Sequence, residues 1–400
     1  MVRDLSDRRR PAEAGAWGTA AGVCPACSPH RNRQGAVRPT PGMDLRCPDC
    51  GREYADRWRC ECGAPLRFAE RPLPAADAPD GADLDPREGL WTFAPFLPVE
   101  PHVTLGAGYT PLVDAPDFGA AVKLDYVLPT GSFKDRGAAT TLSRAVAVGA
   151  DRIVEDSSGN AGAAVATYAA RAGLPAEIYV PADVKASKLR AIRRAGADVV
   201  RVDGDRGDVT DACIDAVEAD EGWYASHAWN PAFIAGTATM AYEIAHQRDW
   251  SVPDAVVLPV GHGTMLLGAY RGFRALRAAG WTDRVPRLLG AQAAGYAPLV
   301  TALHGEAAAA GGNDAADGIR IREPVQKRAI LAAVEATDGD VVAVSESAVE
   351  TALERLHRAG FYTEPTCAVA PAALEVYRDR GVVDDGDDVV LALSGSGLKG

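Results

Sequence analysis

The chain has 400 residues, 47% of them hydrophobic, and no run of 18 apolar residues, so it has room for two ordinary domains and no expected membrane span. Its formal net charge of −12 argues against a general binder of nucleic acid or of membrane surfaces. The N-terminus carries charges at Arg3 and Asp4 but lacks the apolar core of a signal peptide, so we interpret the protein as cytoplasmic.

The first third of the chain contains most of the cysteines. Residues 1–42 are rich in Arg, Ala, Gly and Pro, show no period and are predicted to be a disordered tail, which makes Met43 a candidate true start. Six of the eight cysteines fall within the first 62 residues. In a large chain without an export signal, clustered cysteines favour a metal site over disulfides.

Residues 43–70 are predicted to form a zinc-ribbon-like module. Its candidate ligands are Cys47, Cys50, Cys60 and Cys62. Four thiolates at this spacing suit tetrahedral, structural zinc, with no open position for catalysis. The single residue between the second pair is a tighter spacing than usual, so an empty ribbon and a redox role remain alternatives, and Cys24 with Cys27 would supply other ligands. Cys213 and Cys367 are predicted to be core residues.

Residues 71–100, rich in Pro, Asp and Ala, are predicted to be a linker. After it, short β-branched runs alternate with Ala-rich helical patterns. The predicted strands are 121–124, 152–155, 176–180, 198–202, 255–260, 287–292 and 388–393. The predicted helices are 160–172, 185–195, 207–220, 235–248, 263–279, 346–359 and 366–379. This alternation predicts an α/β fold with parallel sheets covered by helices.

Lys134 is the first candidate for chemistry. Residues 129–137 read Pro-Thr-Gly-Ser-Phe-Lys-Asp-Arg-Gly, and Lys134 is one of only six lysines in the chain. Unlike an arginine, a desolvated lysine can lose its proton and attack a carbonyl carbon. In a predicted loop flanked by Gly131 and Gly137, Lys134 is a candidate Schiff-base lysine. The alternative is an ordinary solvated lysine.

Two polar segments each follow an apolar strand and precede a helix. Residues 157–162 read Ser-Ser-Gly-Asn-Ala-Gly, and residues 261–264 read Gly-His-Gly-Thr. Ligands bind at the carboxyl ends of strands in open α/β sheets, and helix N-termini favour anionic groups. Small residues at 261–264 let backbone amides approach a phosphate, with His262 as a positioner or bystander. Ordinary capping turns are the alternative for both segments.

The C-terminus reads Ser-Gly-Ser-Gly-Leu-Lys-Gly from residue 394. Its glycines match a dinucleotide fingerprint only in spacing, because no helix can follow them. We expect instead that the hydroxyl of Ser394, at the end of the last predicted strand, points into the same crevice.

These four segments, in this order, resemble the pyridoxal-phosphate enzymes of the tryptophan-synthase β-subunit fold, and in detail the threonine synthase family. Residues 129–137 are similar to the cofactor-lysine motif of that family, and residues 393–399 to its Thr-Gly-His-Gly-Leu-Lys ending. The resemblance covers residues 100–400 and includes the segments 109–112, 230–231, 242–244, 316–319 and 364–366. A cysteine ribbon at the front is common in the family.

The resemblance implies two open parallel-sheet lobes with a cofactor crevice between them, the smaller lobe at about residues 140–245. Lys134 would hold pyridoxal phosphate as a Schiff base, Asn160 would contact its phenolic oxygen and Ser394 its pyridine nitrogen. The implied cradle for the cofactor phosphate is Gly261, His262, Gly263 and Thr264, and the implied substrate contacts are Ser157, Ser158 and Asn230. A hydroxyl partner leaves the pyridine ring a weaker electron sink, which suits eliminations and replacements, with Lys134 carrying protons between substrate carbons.

Two positions depart from the family pattern for binding the phosphate of O-phosphohomoserine. Phe233 stands where the family commonly has an arginine after Asn-Pro, and Ala161 where it has a threonine. Ser394 and Ser396 also replace the usual Thr and His. We therefore expect either that other residues bind this phosphate or that the substrate is a different one.

The first hypothesis for function is conversion of O-phosphohomoserine to threonine and phosphate. The sister activities are serine/threonine dehydration and β-replacement on an activated serine. The rival from another class is a catalytically silent scaffold whose ribbon recruits a partner, and Lys134 with an intact phosphate loop argues against it. The expected partner is a small amino acid, with no nucleic acid and no membrane, and a homodimer is one option by analogy with such families.

Overall fold

The computed structural model of the chain describes residues 43–80 and 83–399, so the predicted tail, with Cys24 and Cys27, lies outside the described residues. The strands are β1 Leu45–Arg46, β2 Glu53–Tyr54, β3 Arg67–Phe68, β4 Leu112–Ala115, β5 Ala120–Leu124, β6 Ile153–Glu155, β7 Ala176–Pro181, β8 Asp198–Val202, β9 Trp223–Tyr224, β10 Ala255–Pro259, β11 Arg287–Ala293, β12 Asp340–Val344 and β13 Val389–Leu393. The helices are α1 Lys134–Val148, α2 Asn160–Ala172, α3 Ala186–Arg194, α4 Arg206–Glu218, α5 Pro231–His246, α6 Thr264–Ala278, α7 Pro298–His304, α8 Glu306–Ala309, α9 Lys327–Glu335, α10 Glu346–Arg358 and α11 Pro365–Asp379. No helix in these ranges is both long and apolar enough to cross a membrane.

The larger sheet has six strands in the order β12-β11-β10-β13-β5-β4, all parallel except the edge strand β4. Its central strand β10 reads Ala-Val-Val-Leu-Pro and is buried at every residue. A strand needs such a continuous apolar run when helices cover both faces of a parallel sheet. Here α5, α6 and α9 pack on one face, and α10 and α11 on the other.

The smaller sheet has four parallel strands in the order β8-β7-β6-β9. Its core is formed with α1 and α2, which are rich in alanine and so pack closely against each other and against the sheet. The strand–helix alternation predicted from the sequence is therefore confirmed as an α/β fold with parallel and mixed sheets.

Residues 43–70 form a separate small antiparallel sheet in the order β2-β1-β3. Its two cysteine-bearing turns are closed by backbone bonds, from Gly51 N–H to the Cys47 carbonyl (3.1 Å) and from Gly63 N–H to the Cys60 carbonyl (2.8 Å). Both glycines have left-handed backbones, with φ of 74° and 88°. Glycine adopts this conformation without the steric cost that a β-carbon brings.

The predicted linker, expected to wrap or tether, and the predicted loop at Lys134 both contain helical residues. The predicted linker contains a kinked 3₁₀ helix, Pro86–Phe96, whose Trp91, Phe93 and Phe96 are buried in the core. Burying three aromatic side chains ties this segment to the body far more firmly than its Pro and Asp content suggests. Lys134, predicted to lie in a loop, is instead the first residue of α1.

Candidate active site

A crevice of about 960 Å³ opens at the carboxyl ends of strands from the six-stranded sheet and the four-stranded sheet. All four segments that the sequence pointed to line this crevice. The predicted site residues among its lining are Lys134, Ser157, Ser158, Asn160, Gly261, His262, Gly263, Thr264 and Ser394. The fold brings them together because parallel strands end at the same edge of a sheet. Residues as distant in sequence as Lys134 and Ser394 thereby share one cavity.

The turn that carries Lys134 is fixed by the C-terminal segment. Phe133 N–H donates to the Ser394 carbonyl (2.9 Å), and Ser396 N–H donates to the Gly131 carbonyl (2.9 Å). Gly131 has a φ of 74°, a left-handed conformation that suits glycine. The last residues of the chain therefore hold the turn from which the lysine projects.

The ammonium of Lys134 is poised for loss of its proton. Burial lowers its pKa to about 8, partly opposed by the negative charge of Glu364 and reinforced by the positive charges of Lys399 and Arg206. Its Nζ lies 4.0 Å from the centre of the Phe133 ring. At neutral pH a much larger fraction of this amine is uncharged and nucleophilic than for a solvated lysine.

A buried ionic network anchors the helix that begins at Lys134. Arg136, fully buried, donates to Asp125 (2.8 Å, Nε to Oδ2) and to Glu243 (2.8 Å, NH2 to Oε2). The Nζ of Lys123 lies 2.8 Å from the same Glu243, and none of the four side chains is exposed. Two cations and two carboxylates balance each other, which a buried charge requires.

The segment Gly261–Thr264 leads from β10 into α6. No side chain caps the first turn of α6, so its leading N–H groups are left for another acceptor. Gly263, at the N-cap, has a φ of 75°, and a β-carbon there would lie 2.7 Å from Cγ1 of Ile330. Only glycine fits this turn.

His262 faces the same turn with an unused donor. Burial lowers its pKa to about 3, so the ring is neutral. Its Nε2 lies 3.4 Å from NH2 of Arg206, which can only donate, so the proton of the ring lies on Nδ1. Nδ1 is buried and has no hydrogen-bond partner among the described residues, although a buried donor normally has one.

Asn160 is held by residues that we did not predict from the sequence. Its Nδ2 donates to the two carboxylate oxygens of Glu364 (2.9 and 3.2 Å), and its Oδ1 accepts from Nζ of Lys399 (2.6 Å). This network spans the crevice, because Asn160 begins α2 and Glu364 precedes α11. Residues 364–366 carry part of the family resemblance, but nothing in the sequence assigned this role to Glu364.

The predicted substrate contacts are not all alike. Ser157 and Ser158 line the crevice, whereas Asn230 does not: its Oδ1 accepts from Ala232 N–H (3.0 Å) and caps α5. The side chain of Asn230 is therefore engaged as the N-cap of the helix. Phe233 is fully buried beside Gly137 and also lies outside the lining, while Ala161 lies within it.

The crevice also contains ionisable groups that the sequence analysis passed over. They are Lys185, Arg190, Arg194, Arg206, His227, Asp317, Arg320, His357, Tyr362, Glu364 and Lys399. His227 contacts the buried Glu155, which ends β6. The available signal was the acidic pair Glu155-Asp156 at the end of an otherwise apolar strand.

Comparison with known proteins agrees with this geometry. The model of the family described as pyridoxal-phosphate dependent enzyme matches residues 103–395. The chain belongs to this family. It is also 34% identical over 324 residues to a threonine synthase of Methanosarcina acetivorans, covering 78% of this chain and 80% of that protein. A threonine synthase of Methanocaldococcus jannaschii is 31% identical over 377 residues, covering 89% and 93%.

Among the pyridoxal-phosphate dependent enzymes, the chain is thus a member of the threonine synthase family and an enzyme of the lyase type. Solved structures of the same fold include the processed form of a threonine deaminase from Solanum lycopersicum, at 23% identity with a TM-score of 0.61, covering 72% of this chain and 79% of that one. An aspartate racemase has a TM-score of 0.62 at 23% identity, covering 72% and 90%.

The residues present fit the cofactor that gives the family its name. Lys134 offers a buried amine of lowered pKa, and the uncapped start of α6 with the free Nδ1–H of His262 suits a phosphate. The hydroxyl of Ser394 is buried in the same crevice. Its backbone N–H donates to Sγ of Cys367 (3.1 Å), so Cys367 helps to position this residue besides filling the core.

The four cysteines of the ribbon also converge. The Sγ atoms of Cys47 and Cys62 are 3.6 Å apart, those of Cys50 and Cys60 are 3.4 Å apart, and all four lie within 4.8 Å of one another. Four sulfurs at about 2.3 Å from a tetrahedral zinc ion are roughly 3.8 Å apart. The cluster therefore has the dimensions of such a site.

Proposed function

We propose that the chain binds pyridoxal phosphate at Lys134 and converts O-phosphohomoserine to threonine and phosphate. The observation that carries the proposal is the convergence of Lys134, the segment Gly261–Thr264 and Ser394 on one crevice. When bound, the cofactor supplies an electron sink for the substrate amino acid. The threonine synthases that resemble this chain support the choice of reaction.

The side chains of this crevice divide the remaining tasks. Burial lowers the pKa of Lys134, and this residue is the group that carries protons between the carbons of the substrate. Ser157 and Ser158 offer hydroxyls and backbone amides to the substrate carboxylate. With the cofactor bound, Ser394 would supply an uncharged partner to the pyridine nitrogen, and Asn160 would contact the phenolic oxygen.

The phosphate of the substrate needs a site other than position 233. Phe233 is buried against α1 and cannot reach a phosphate, and Ala161 has no hydroxyl. Positive charge that can pair with a phosphate is present on α3, at its N-cap and at the start of α4. We name this set the basic wall: Lys185, Arg190, Arg194 and Arg206. In a chain of net charge −12, four cations that line one cavity form a local field that attracts a dianion.

Three features of the basic wall favour an anion as its ligand. Lys185, Arg190 and Arg194 have no acidic partner in the part of the chain that the structure describes. Arg190 and Arg194 lie four residues apart on one helix, where like charges repel and cost about 0.2–0.5 kcal/mol. Arg206 stands at the first position of α4, where the helix dipole disfavours a cation. A bound phosphate would pair with these cations, reduce the repulsion between Arg190 and Arg194, and offset the charge of Arg206 at the helix start.

The second candidate function is dehydration of serine or threonine, or β-replacement on an activated serine. It is favoured by the absence of phosphate-binding side chains at Phe233 and Ala161. Such substrates need no second phosphate site, and the basic wall would then meet only the substrate carboxylate or a smaller leaving group.

Two measurements test the proposal. The purified protein should show an absorbance band near the visible edge that borohydride abolishes, and the Lys134→Ala variant should lack the lysine-linked product on mass spectrometry. Turnover of O-phosphohomoserine should then exceed that of serine, threonine and O-acetylserine. Faster turnover of the serine compounds would select the second candidate, and a colourless protein that takes up no pyridoxal phosphate would refute both.

We propose further that Cys47, Cys50, Cys60 and Cys62 bind a structural zinc ion. The dimensions of the cluster support this assignment. The ribbon contacts the body through Arg59 with Glu218 (2.6 Å) and through Nε1–H of Trp223, which donates to Asp56 (2.8 Å). The metal would thus fix a surface that packs on the smaller sheet.

A further inference from the structure

In addition to Lys134, a pair formed by a carboxyl group and an imidazole borders the crevice. Glu155, the last residue of β6, is fully buried, and its Oε1 lies 2.8 Å from Nδ1 of His227. His227 lines the crevice, whereas Glu155 lies behind it. Because Nδ1 is turned to Glu155, the Nε2 edge of the ring is the part left for a ligand.

The pair is costly to bury and is not fully satisfied. Oε2 of Glu155 has no hydrogen-bond partner among the described residues, although buried polar atoms normally have one. The neighbouring Asp156, by contrast, accepts from Thr210 (2.6 Å) and Tyr224 (3.0 Å). An apolar residue at position 155 would avoid this cost, so the carboxyl has a use other than stability.

Burial acts on both members in opposite directions. It raises the pKa of Glu155 well above its usual range, aided by Asp156, and lowers the pKa of His227 well below its usual range. The other charged or titratable groups facing the pair are Lys134, Arg206 and His262. These directions and the 2.8 Å contact favour a form in which the carboxyl of Glu155 donates its proton to Nδ1 and the neutral ring carries its own proton on Nε2.

We propose that Glu155 and His227 are a proton relay that serves the side chain of the substrate, where the leaving group departs and water adds. Lys134 serves the C–H bonds, carrying protons between the substrate carbons. This division rests on the proposed function, in which phosphate must leave Cγ and a hydroxyl must be added at Cβ.

The protons and electrons of the two steps balance. As the carbon–oxygen bond of the leaving group breaks, its electron pair goes to the oxygen, which takes the Nε2 proton of His227. The proton of Glu155 moves to Nδ1 and leaves a carboxylate. Lys134, as the free amine, takes a proton from the adjacent carbon, Cβ, and the electron pair of that bond forms a double bond between Cβ and Cγ. When water adds, its oxygen bonds to Cβ and one of its protons goes to Nε2, while the Nδ1 proton returns to Glu155. Lys134 gives the proton that it took from Cβ to Cγ.

Two variants separate this role from a structural one. Glu155→Gln keeps a donor to Nδ1, and therefore the same tautomer of His227, but it has no acidic proton to pass on. His227→Asn removes the ring. The matched control is His304→Asn, because Nε2 of His304 forms a similar contact with Asp340 (2.6 Å) outside the crevice.

The measurements follow the two protons separately. With O-phosphohomoserine in deuterated water, NMR should show exchange of the substrate Cα proton within about twofold of wild type in both variants. Release of phosphate should fall by about 100-fold, a usual size for the loss of one acid–base group. Serine, with a poor leaving group, should lose more turnover than O-acetylserine, with a good one. Equal release in variants and wild type, or exchange and release that fall together, would overturn the proposal.

A second measurement uses the cofactor-free protein and needs no substrate. The nitrogen NMR spectrum should show His227 neutral and protonated on Nε2 between pH 6 and 8, in wild type as in Glu155→Gln. An imidazole that titrates near its ordinary pKa would contradict the relay. A wild-type enzyme that exchanges no Cα proton would refute the proposed function instead, and the imidazole spectrum would still decide this inference.

Discussion

Gly137 and Phe233 are in such close contact that a β-carbon on Gly137 would overlap the phenylalanine ring. Gly137 lies in the first turn of α1, three residues after Lys134, and Phe233 lies in the first turn of α5. The pair lets the two helices approach each other and sets the depth of the helix that carries the lysine. The side chain at position 233 is therefore occupied in helix packing.

We expect Gly137→Ala to lower the free energy of unfolding by about 1–3 kcal/mol, because overpacking exceeds the gain from alanine in a helix. Phe233→Ala should cost about 3–5 kcal/mol through the cavity that it leaves. The double variant should cost less than the sum of the two by about 1 kcal/mol, since the new methyl group enters that cavity. Urea denaturation measures all three, and strictly additive losses would show that the two side chains do not share this space.

Lys134 should react with aldehydes in a pH range where other lysines do not. Since burial lowers its pKa to about 8, roughly 300 times more of its amine is uncharged at pH 7 than at an ordinary pKa of about 10.5. The rate at which the cofactor-free protein takes up pyridoxal phosphate should therefore rise with pH through a midpoint near 8. Borohydride trapping and mass spectrometry measure it. Lys134→Arg should show no trapping, while Lys327→Arg, on the exposed start of α9, should match wild type; a midpoint near 10 would contradict the burial argument.

Most strands and helices of the α/β body were predictable because each apolar run is short and each helix is long enough to show its period. Helix α2 begins and ends where it was predicted. Helix α1 was not among the predicted helices, because Gly131 and Gly137 resemble loop residues in sequence, whereas Gly137 is a packing glycine inside the helix. The elements β4, β9, β12, α7, α8 and α9 were also not predicted. Similarly, the burial of Trp91 and Phe93 depends on partners distant in sequence.

The cofactor side of the crevice was predictable from local segments, and the substrate side was not. Residues 261–264 can be recognised in the sequence because small residues follow an apolar strand. The pairing of Glu155 with His227 joins positions 72 residues apart, and that of Asn160 with Glu364 joins positions 204 apart. Such pairs become visible only when the chain is folded. The resemblance implied a substrate contact for Asn230, whereas its capping role becomes visible only from where α5 begins.

Zinc should be present at about one ion per chain and should stabilise the ribbon. Cys47→Ser should lose the ion and lower the melting temperature, since metal binding to the folded form is linked to folding. Cys213→Ala, which removes a buried cysteine elsewhere, is the matched control and should keep the zinc. Elemental analysis and thermal denaturation with and without a chelator measure both effects. A wild-type protein without zinc, whose melting temperature a chelator does not change, would exclude the assignment.

The basic wall should determine affinity for phosphorylated substrates and leave the chemical step unchanged. Arg190→Gln and Arg194→Gln should each raise the KM for O-phosphohomoserine about tenfold, the low end for loss of a charge-assisted bond at an exposed site, with kcat within about twofold. The KM for serine should stay the same. Arg193→Gln removes the same charge from the same helix at a position that does not line the crevice, so it should behave as wild type. Salt should raise the wild-type KM because it screens exposed charges. Equal effects of all three variants would mean that only the net charge matters, and no effect of Arg190→Gln and Arg194→Gln would place the phosphate elsewhere.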